Sequence, residues 1–338
     1  MSKHHARWTK LLHCVVHWKL LPIISQCTGE GVRLNRCCHF QQADDDPWRG
    51  SPGCFRKPQT IPPKKFSRRA FPEQGERLVE RDEVLVKVVI ISDIHGNLAA
   101  LEAFPETDCD QVWCIGDLVD YGPRPREVIQ WVKKNATVAV RGNHDHAVGF
   151  DVNPQCSPAF RGLADATMKY TLAIVSEQER DSLRKLPIHR EFELGEVSVY
   201  CVHATPSDPL FGYCVETSDR WQQEVDRIAA DVLVVGHTHT PFIRRIGRTL
   251  IVNPGSLGQP KTGRPLACYA LYEDGMFTLK EYEYPIEKTI GGIREMPIST
   301  EDQEALISVL CRGTLSMPPR SALMKVLLPR FICPSTAR

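Results

Sequence analysis

The sequence predicts an α/β fold in which two β-sheets pack together and helices lie outside them. Short apolar runs alternate with stretches of helical periodicity in the middle of the chain, and several strand-like segments joined by tight turns follow. Strands that alternate with helices are typical of a parallel sheet, whereas consecutive strands pair as hairpins. Together the two patterns favour a two-sheet core covered by helices, and no internal repeat is present.

The first predicted strand carries an informative pair of polar residues. An unbroken apolar run at 88–91 passes through Ser92 into Asp93 and, after one spacer, His95. Such a run is typical of a strand buried on both faces, and ligands of open α/β sheets bind just beyond the carboxyl ends of such strands. Because residues two apart share a face, Asp93 and His95 together form half of a candidate metal site.

Four further apolar runs, at 112–115, 136–140, 197–202 and 232–235, lead towards polar motifs in the same way. The motifs are Gly116-Asp117, Gly142-Asn143-His144-Asp145, His203 and Gly236-His237-Thr238-His239. Asp-x-His alone is a weak signal that also fits a turn capped by Asp. Five strand ends that each present an oxygen or nitrogen ligand are not expected by chance.

The other elements follow from periodicity, caps and turns. We expect helices at 97–104 with Asn97 as N-cap, 126–134 after Pro125, 161–175, 177–186, 219–229 with Asp219 as N-cap, and 301–310. We expect strands within 191–203, turning at 194–196, and at 242–246, 249–252, 266–272 and 276–282. The helices at 161–175 and 177–186 fall outside the strand alternation and could cap the site.

The domain is predicted to span 84–312, with disordered extensions at 1–83 and 313–338. The first extension is basic and shows no persistent helical or strand period, and the second is basic and rich in proline. The apolar stretch at 11–24 is interrupted by His13, His17, Lys19 and Pro22. It therefore fits neither a membrane span nor a clean signal peptide, although a weak targeting signal remains the minor alternative.

Charge and cysteine content exclude several classes of protein. The chain has 42 Lys and Arg against 41 Asp and Glu, so no global field favours specific nucleic-acid binding. Thirteen cysteines, an odd number without a CxxC pair, predict neither a disulfide framework nor a structural zinc site. We expect a reduced, cytoplasmic protein without membrane contact.

The motifs SDIHGN, GDLVD, RGNHD, VHATP and GHTH occur in this order between Ser92 and His239, within a region of resemblance that covers about residues 86–290. This series resembles the calcineurin-like metallophosphoesterase superfamily. GDLVDYGP and the late Asn253-Pro254-Gly255-Ser256 resemble its small bacterial and archaeal phosphodiesterase-type branch. The resemblance implies a four-layer α/β/β/α sandwich, in agreement with the two-sheet core.

The resemblance also implies two metal sites that share one carboxylate. Asp117 would bridge the ions. The first site would comprise Asp93, His95, Asp117 and His239, and the second Asp117, Asn143, His203 and His237. Oxygen and nitrogen ligands without thiolate suit two divalent transition-metal ions (Mn, Fe, Zn or Co) and argue against Ca or a lone Mg.

A pair of ions at this site would suit hydrolysis of a phosphate ester. Two cations about 3.5–4 Å apart neutralise the phosphoryl oxygens and acidify a bridging water into hydroxide. We therefore predict a metal-dependent phosphoesterase that acts on a small phosphoester, with a phosphodiesterase as the favoured reading. The alternatives are a non-catalytic scaffold on the same fold, a dinucleotide polyphosphate hydrolase and a protein-phosphatase-like monoesterase. A scaffold should have lost ligands, and this chain retains them all.

His144 and Asp120 are the predicted catalytic pair. By resemblance, Asp120 holds His144, which would hydrogen-bond a phosphoryl oxygen and protonate the leaving alkoxide. The alternative for Asp120 is a turn cap before Tyr121-Gly122-Pro123. Asp145 could orient its neighbours or only cap the next segment.

Three departures from the protein serine/threonine phosphatase branch argue against that activity. Tyr121 stands where that branch has a phosphate-binding Arg, and Asp145 stands where its GNHE motif has Glu. GHTH also carries a second histidine that the branch lacks. Arg124 or Arg126 could supply a phosphate contact instead, but solvated surface positions are an equal alternative.

Overall fold

The computed structural model describes residues 86–157 and 160–314. The predicted extensions, 1–83 and all but the first two residues of 313–338, lie outside the described residues. The strands are β1 Val88–Ile91, β2 Gln111–Cys114, β3 Val138–Ala139, β4 His189–Leu194, β5 Val197–Val202, β6 Val232–Val234, β7 Phe242–Ile246, β8 Thr249–Asn253, β9 Ala267–Glu273 and β10 Met276–Tyr282. The helices are α1 Leu98–Glu102, α2 Pro125–Asn135, α3 Asn143–Phe150, α4 Arg161–Ile174, α5 Glu177–Lys185, α6 Trp221–Val225, α7 Ile286–Glu295 and α8 Thr300–Arg312.

The strands form two mixed five-stranded sheets. The first has the order β10-β9-β1-β2-β3, in which β1, β2 and β3 are parallel and the β9–β10 hairpin pairs antiparallel. The second has the order β4-β5-β6-β8-β7, in which β5, β6 and β8 are parallel and antiparallel strands form both edges. The parallel strands bring their carboxyl ends to one edge of each sheet, as the sequence predicted.

Alternation along β1 shows how the layers are stacked. Val88 and Ile90 pack in an apolar cluster between the two sheets, together with Trp113. Val89 and Ile91 belong to a second cluster that joins this sheet to helices α1, α2, α3 and α5. Residues one apart on a strand face opposite sides, so β1 is buried on both faces.

The outer face of the second sheet packs against Trp221 of α6. The α/β/β/α sandwich predicted from the sequence is therefore confirmed. A further apolar cluster joins α4, α7 and α8 to Tyr121 and Phe160. Of the two helices predicted to cap the site, α4 contributes to that cluster, whereas α5 places Leu183 in the main core.

Several element boundaries differ from the prediction. The helix expected at 219–229 is only α6, and Asp219 is not its N-cap, because the helix begins at Trp221 and Arg220 takes the N-cap position without a side-chain hydrogen bond. The edge strand β3 covers only two residues of the predicted run. Helix α7 was not predicted, since Gly291 and Gly292 weaken its helical signal. No helix in the described part of the chain combines the length and apolarity of a membrane span.

Candidate metal centre

The predicted metal ligands converge at one edge of the sandwich. Two groups of side chains have ligand atoms within 4.8 Å of one another, and Asp117 belongs to both. The first group is Asp93, His95, Asp117 and His239, and the second is Asp117, His203 and His237. These residues follow β1, β2, β5 and β6, so the ends of four strands build the cluster.

The histidines of the first group are oriented by backbone carbonyls. The Nδ1 atoms of His95 and His239 lie 2.9 Å from the carbonyl oxygen of Val119 and 2.7 Å from that of Gln259. A carbonyl only accepts hydrogen bonds, so each Nδ1 carries the proton and donates it. The Nε2 lone pairs therefore point into the centre, an arrangement typical of metal-binding histidines.

Three electron-rich atoms then face one another without a proton between them. The Nε2 atoms of His95 and His239 are 3.2 Å apart, and Asp93 Oδ1 lies 3.2 Å from His239 Nε2. This carboxylate oxygen is buried and accepts no hydrogen bond, although Oδ2 accepts from Ser92. A cation bound here would satisfy all three atoms, so the residues fit a metal ion.

The second group includes Asn143, the first residue of α3. Its Oδ1 lies 3.2 Å from His203 Nε2 and 3.1 Å from His237 Nδ1, while its Nδ2 donates to the carbonyl of Pro154. That hydrogen bond turns the amide oxygen towards the histidines. His203 Nε2 also lies 3.3 Å from Asp117 Oδ2. All seven predicted ligands therefore lie in one cluster.

Burial and charge shift the protonation equilibria of the cluster. Burial raises the pKa of Asp93 to about 6 and lowers the pKa of His95 to about 3. Burial opposes the charged form of His203 as well, but the carboxylate of Asp117 outweighs it and raises the pKa of His203 to about 9. Such strong shifts in opposite directions are characteristic of functional sites.

The backbone of the cluster is held in an uncommon conformation. Five predicted ligands have positive φ angles: Asp93, His95, Asp117, His237 and His239. Residues other than glycine rarely adopt this region, at a cost of about 1–3 kcal/mol each, and such residues cluster at active sites. The strain is consistent with side chains that the fold holds in place for binding.

The predicted pair of His144 and Asp120 forms beside the cluster. His144 Nδ1 lies 2.8 Å from Asp120 Oδ2, and both side chains are buried. The rings of His144 and His95 meet edge to face with centroids 5.0 Å apart. Burial lowers the pKa of His144, but neighbouring acidic groups, Cys156, Asp117 and Asp120, outweigh it and raise this pKa well above its usual value.

Comparison with known proteins identifies the family. The model of the calcineurin-like phosphoesterase superfamily domain matches residues 86–274. The chain belongs to this superfamily. Its relatives include the phosphodiesterase YfcE of Escherichia coli, which is 27% identical over 209 residues, covering 58% of this chain and 91% of that protein. An uncharacterized protein of Methanocaldococcus jannaschii is 27% identical over 225 residues, covering 60% of this chain and 89% of that protein.

Solved structures agree with the fold. A metallophosphoesterase from Sphaerobacter thermophilus superposes with a TM-score of 0.58 at 29% identity and covers 68% of this chain and 100% of its own. A hypothetical protein from Pyrococcus horikoshii gives the same TM-score at 23% identity, covering 68% of this chain and 98% of its own. With the buried Asp and His cluster, the family match makes the chain a metal-dependent phosphoester hydrolase.

Asp145, whose role the sequence left open, holds the backbone turn at Asp117. Its Oδ2 accepts from the backbone N–H groups of Asp117 and Gly142, and its Oδ1 accepts from that of Leu118. The residue therefore both caps α3 and holds the turn that presents Asp117. The spacing alone could not show this, because the contact joins two distant motifs.

The arginines considered as phosphate contacts are engaged elsewhere. Arg126 Nε lies 3.1 Å from Glu179 Oε2, and the guanidinium of Arg124 is within 4 Å of Glu127 and Glu295. Tyr121, which occupies the arginine position of the protein phosphatases, is buried with its ring 4.9 Å from those of His95 and His144. It therefore lines the phosphoesterase centre without supplying a positive charge.

The late Asn253-Pro254-Gly255-Ser256 motif, which the sequence marked without a role, supports the first ligand group. Ser256 Oγ donates to the carbonyl of Asp93 at 2.7 Å, and Gly258 N donates to the same carbonyl. The carbonyl of Gln259 accepts from His239 Nδ1. Residues 254–259, here called the support loop, therefore position two predicted ligands from behind.

Proposed function

We propose that this chain is a phosphodiesterase that uses two divalent transition-metal ions. Asp93, His95 and His239 would hold one ion, Asn143, His203 and His237 the other, and Asp117 would bridge them. The observation that carries the proposal is the pair of ligand groups sharing Asp117. A carboxylate shared by two ligand groups is expected where two cations bind side by side, and is not needed where a single cation binds.

Two further observations favour a diester as substrate. A relative that this chain matches over 91% of the relative's length is named a phosphodiesterase. The arginine that grips phosphate in protein phosphatases is replaced by Tyr121, and its neighbours Arg124 and Arg126 pair with carboxylates. A diester presents one negative charge fewer than a monoester, so it needs one cationic contact fewer.

Residues of the chain other than the predicted ligands would donate a proton and position those ligands. Asp120 accepts from His144 Nδ1 and so leaves Nε2, which lies 3.4 Å from Cys156 Sγ, as the nitrogen that would donate a proton to the leaving oxygen. Asp145 holds the turn of Asp117, and the support loop holds Asp93 and His239. The two metal ions, when bound, would neutralise the phosphoryl oxygens and acidify a water molecule.

The proposal is tested by metal removal and restoration. Protein stripped with a chelator should be inactive, and added Mn²⁺ should restore hydrolysis of aryl phosphodiesters with a higher kcat/KM than aryl monoesters. Asp117→Asn, treated identically, is the matched control and should stay inactive. Restored hydrolysis of monoesters alone would contradict the diester assignment, and no turnover with any transition metal would contradict the proposed function.

A further inference from the structure

Lys261 is a cation at the centre to which neither the sequence motifs nor the proposed chemistry gives a task. It lies two residues beyond the end of the support loop, and its backbone N–H donates to the carbonyl of His239, a predicted ligand. Its Nζ lies 5.8 Å from the centre of the Phe160 ring, in the cluster that covers this side of the site. The backbone contact and the ring together fix where the ammonium group lies.

The ammonium group of Lys261 has no ion-pair partner in residues 86–157 and 160–314, where no carboxylate lies within 4.0 Å of Nζ. Lys87, Lys185 and Lys288 by contrast each pair with a carboxylate. Lys261 is partly buried, and burial lowers its pKa. A desolvated, unpaired charge is unfavourable, so its presence beside the centre indicates an anion that binds there.

Lys261 adjoins the predicted ligands through the hydrogen bond from its backbone N–H to the carbonyl of His239. Two bound cations would repel this ammonium. A negatively charged group placed between them would turn that repulsion into attraction.

We propose that Lys261 binds an anionic phosphoryl oxygen of the diester substrate and of the phosphomonoester product. This inference rests on the proposed function, in which Lys261 would contact the single anionic charge of a diester. The ammonium would donate a charge-assisted hydrogen bond to the oxygen. Lys261 is thus a substrate-binding residue, held in place by the support loop through His239.

The test is the affinity of the Mn²⁺-loaded full chain for inorganic phosphate, measured by calorimetry. Lys261→Met should raise the Kd for phosphate by roughly 10- to 100-fold, because a hydrogen bond between charged groups is lost. Lys261→Arg should stay within a few-fold of the wild type. Lys133→Met, at an exposed position of α2, is the matched control and should not change the Kd.

The metal content of the same variants separates substrate binding from a structural role. Lys261→Met removes a positive charge beside the cations, so it should hold Mn²⁺ at least as tightly as the wild type. Unchanged phosphate affinity in Lys261→Met, or loss of metal from it, would overturn the inference. A wild-type protein that neither binds phosphate nor hydrolyses esters would instead contradict the proposed function.

Discussion

The role of each histidine in the centre depends on the hydrogen-bond partner of its Nδ1 atom. His95 and His239 donate Nδ1–H to backbone carbonyls and keep Nε2 for a cation. His144 donates Nδ1–H to a carboxylate instead, which favours the protonated ring. Imidazoles in one pocket can therefore serve as metal ligands or as a proton donor, according to what lies behind them.

Replacement of His144 by alanine tests this division. We expect His144→Ala to lower kcat by about 10²- to 10⁴-fold, because the proton donor to the leaving oxygen is lost. Its backbone N–H donates to Asp117 Oδ1 at 2.9 Å and remains in the variant, so metal content should not change. Steady-state kinetics with elemental analysis gives both numbers, and an unaltered kcat with full metal occupancy would show that His144 is no proton donor.

The residues that the sequence predicted are those that follow apolar strands within short motifs. Asp93, Asp117 and His203 could be placed because a buried run pointed to each of them. Lys261 and the role of Asp145 could not be predicted in this way. Their positions depend on contacts between distant segments, which no local pattern records.

Among the elements, the support loop shows how a segment without regular structure organises the centre. Ser256 Oγ donates to the carbonyl of Asp93 and accepts from the backbone N–H of Gln259, both at 2.7 Å. Gln259 in turn receives the hydrogen bond of His239. One hydroxyl therefore connects ligands from the ends of β1 and β6.

Ser256→Ala should weaken this element without removing a ligand. The backbone N–H of Gln259 would lose its hydrogen-bond partner in a buried position, which should lower the free energy of unfolding by about 1–3 kcal/mol. Metal affinity should fall by about 10-fold, since groups behind metal ligands commonly have effects of this size. Ser182→Ala in α5 is the matched control. If metal titration shows that Ser256→Ala binds metal with the affinity of the wild type, the supporting role is contradicted.

The elements were predicted best where packing agrees with local preference. The amphipathic helix α2 begins at Pro125 and buries Val128, Ile129 and Val132, as expected. Helix α7 was missed because its glycines oppose helix formation, and it is stabilised by burying Ile290 and Ile293 in the cluster with α8. Tertiary packing overrides propensity in such cases.

At the scale of the whole molecule, the sandwich serves to bring strand ends together. The two sheets bury a shared apolar cluster that includes Trp113 and Val234, and the strands on either side of it end at the centre. The two-sheet core with helices outside could be predicted because alternation of strands and helices constrains topology strongly, and the family resemblance implied its four-layer form. The lengths of individual elements depend on packing and were predicted less well.

The domain boundary proposed from composition leads to a prediction for a fragment. Residues 84–314 should fold and bind metal like the full chain, because the hydrophobic clusters described lie within them and Gly313 caps α8 in a left-handed conformation. Thermal unfolding and metal titration of the fragment and the full chain provide the comparison. A fragment that is unfolded or cannot bind metal would show that the outer segments are required.

The number of metal ions per chain tests the central claim most directly. Elemental analysis of protein reconstituted with Mn²⁺ should give two ions per wild-type chain. Asp117→Asn should lose both ions together with turnover, because the bridging carboxylate belongs to both ligand groups. One ion or none in the wild type, or two ions retained in Asp117→Asn, would contradict a centre built around a shared aspartate.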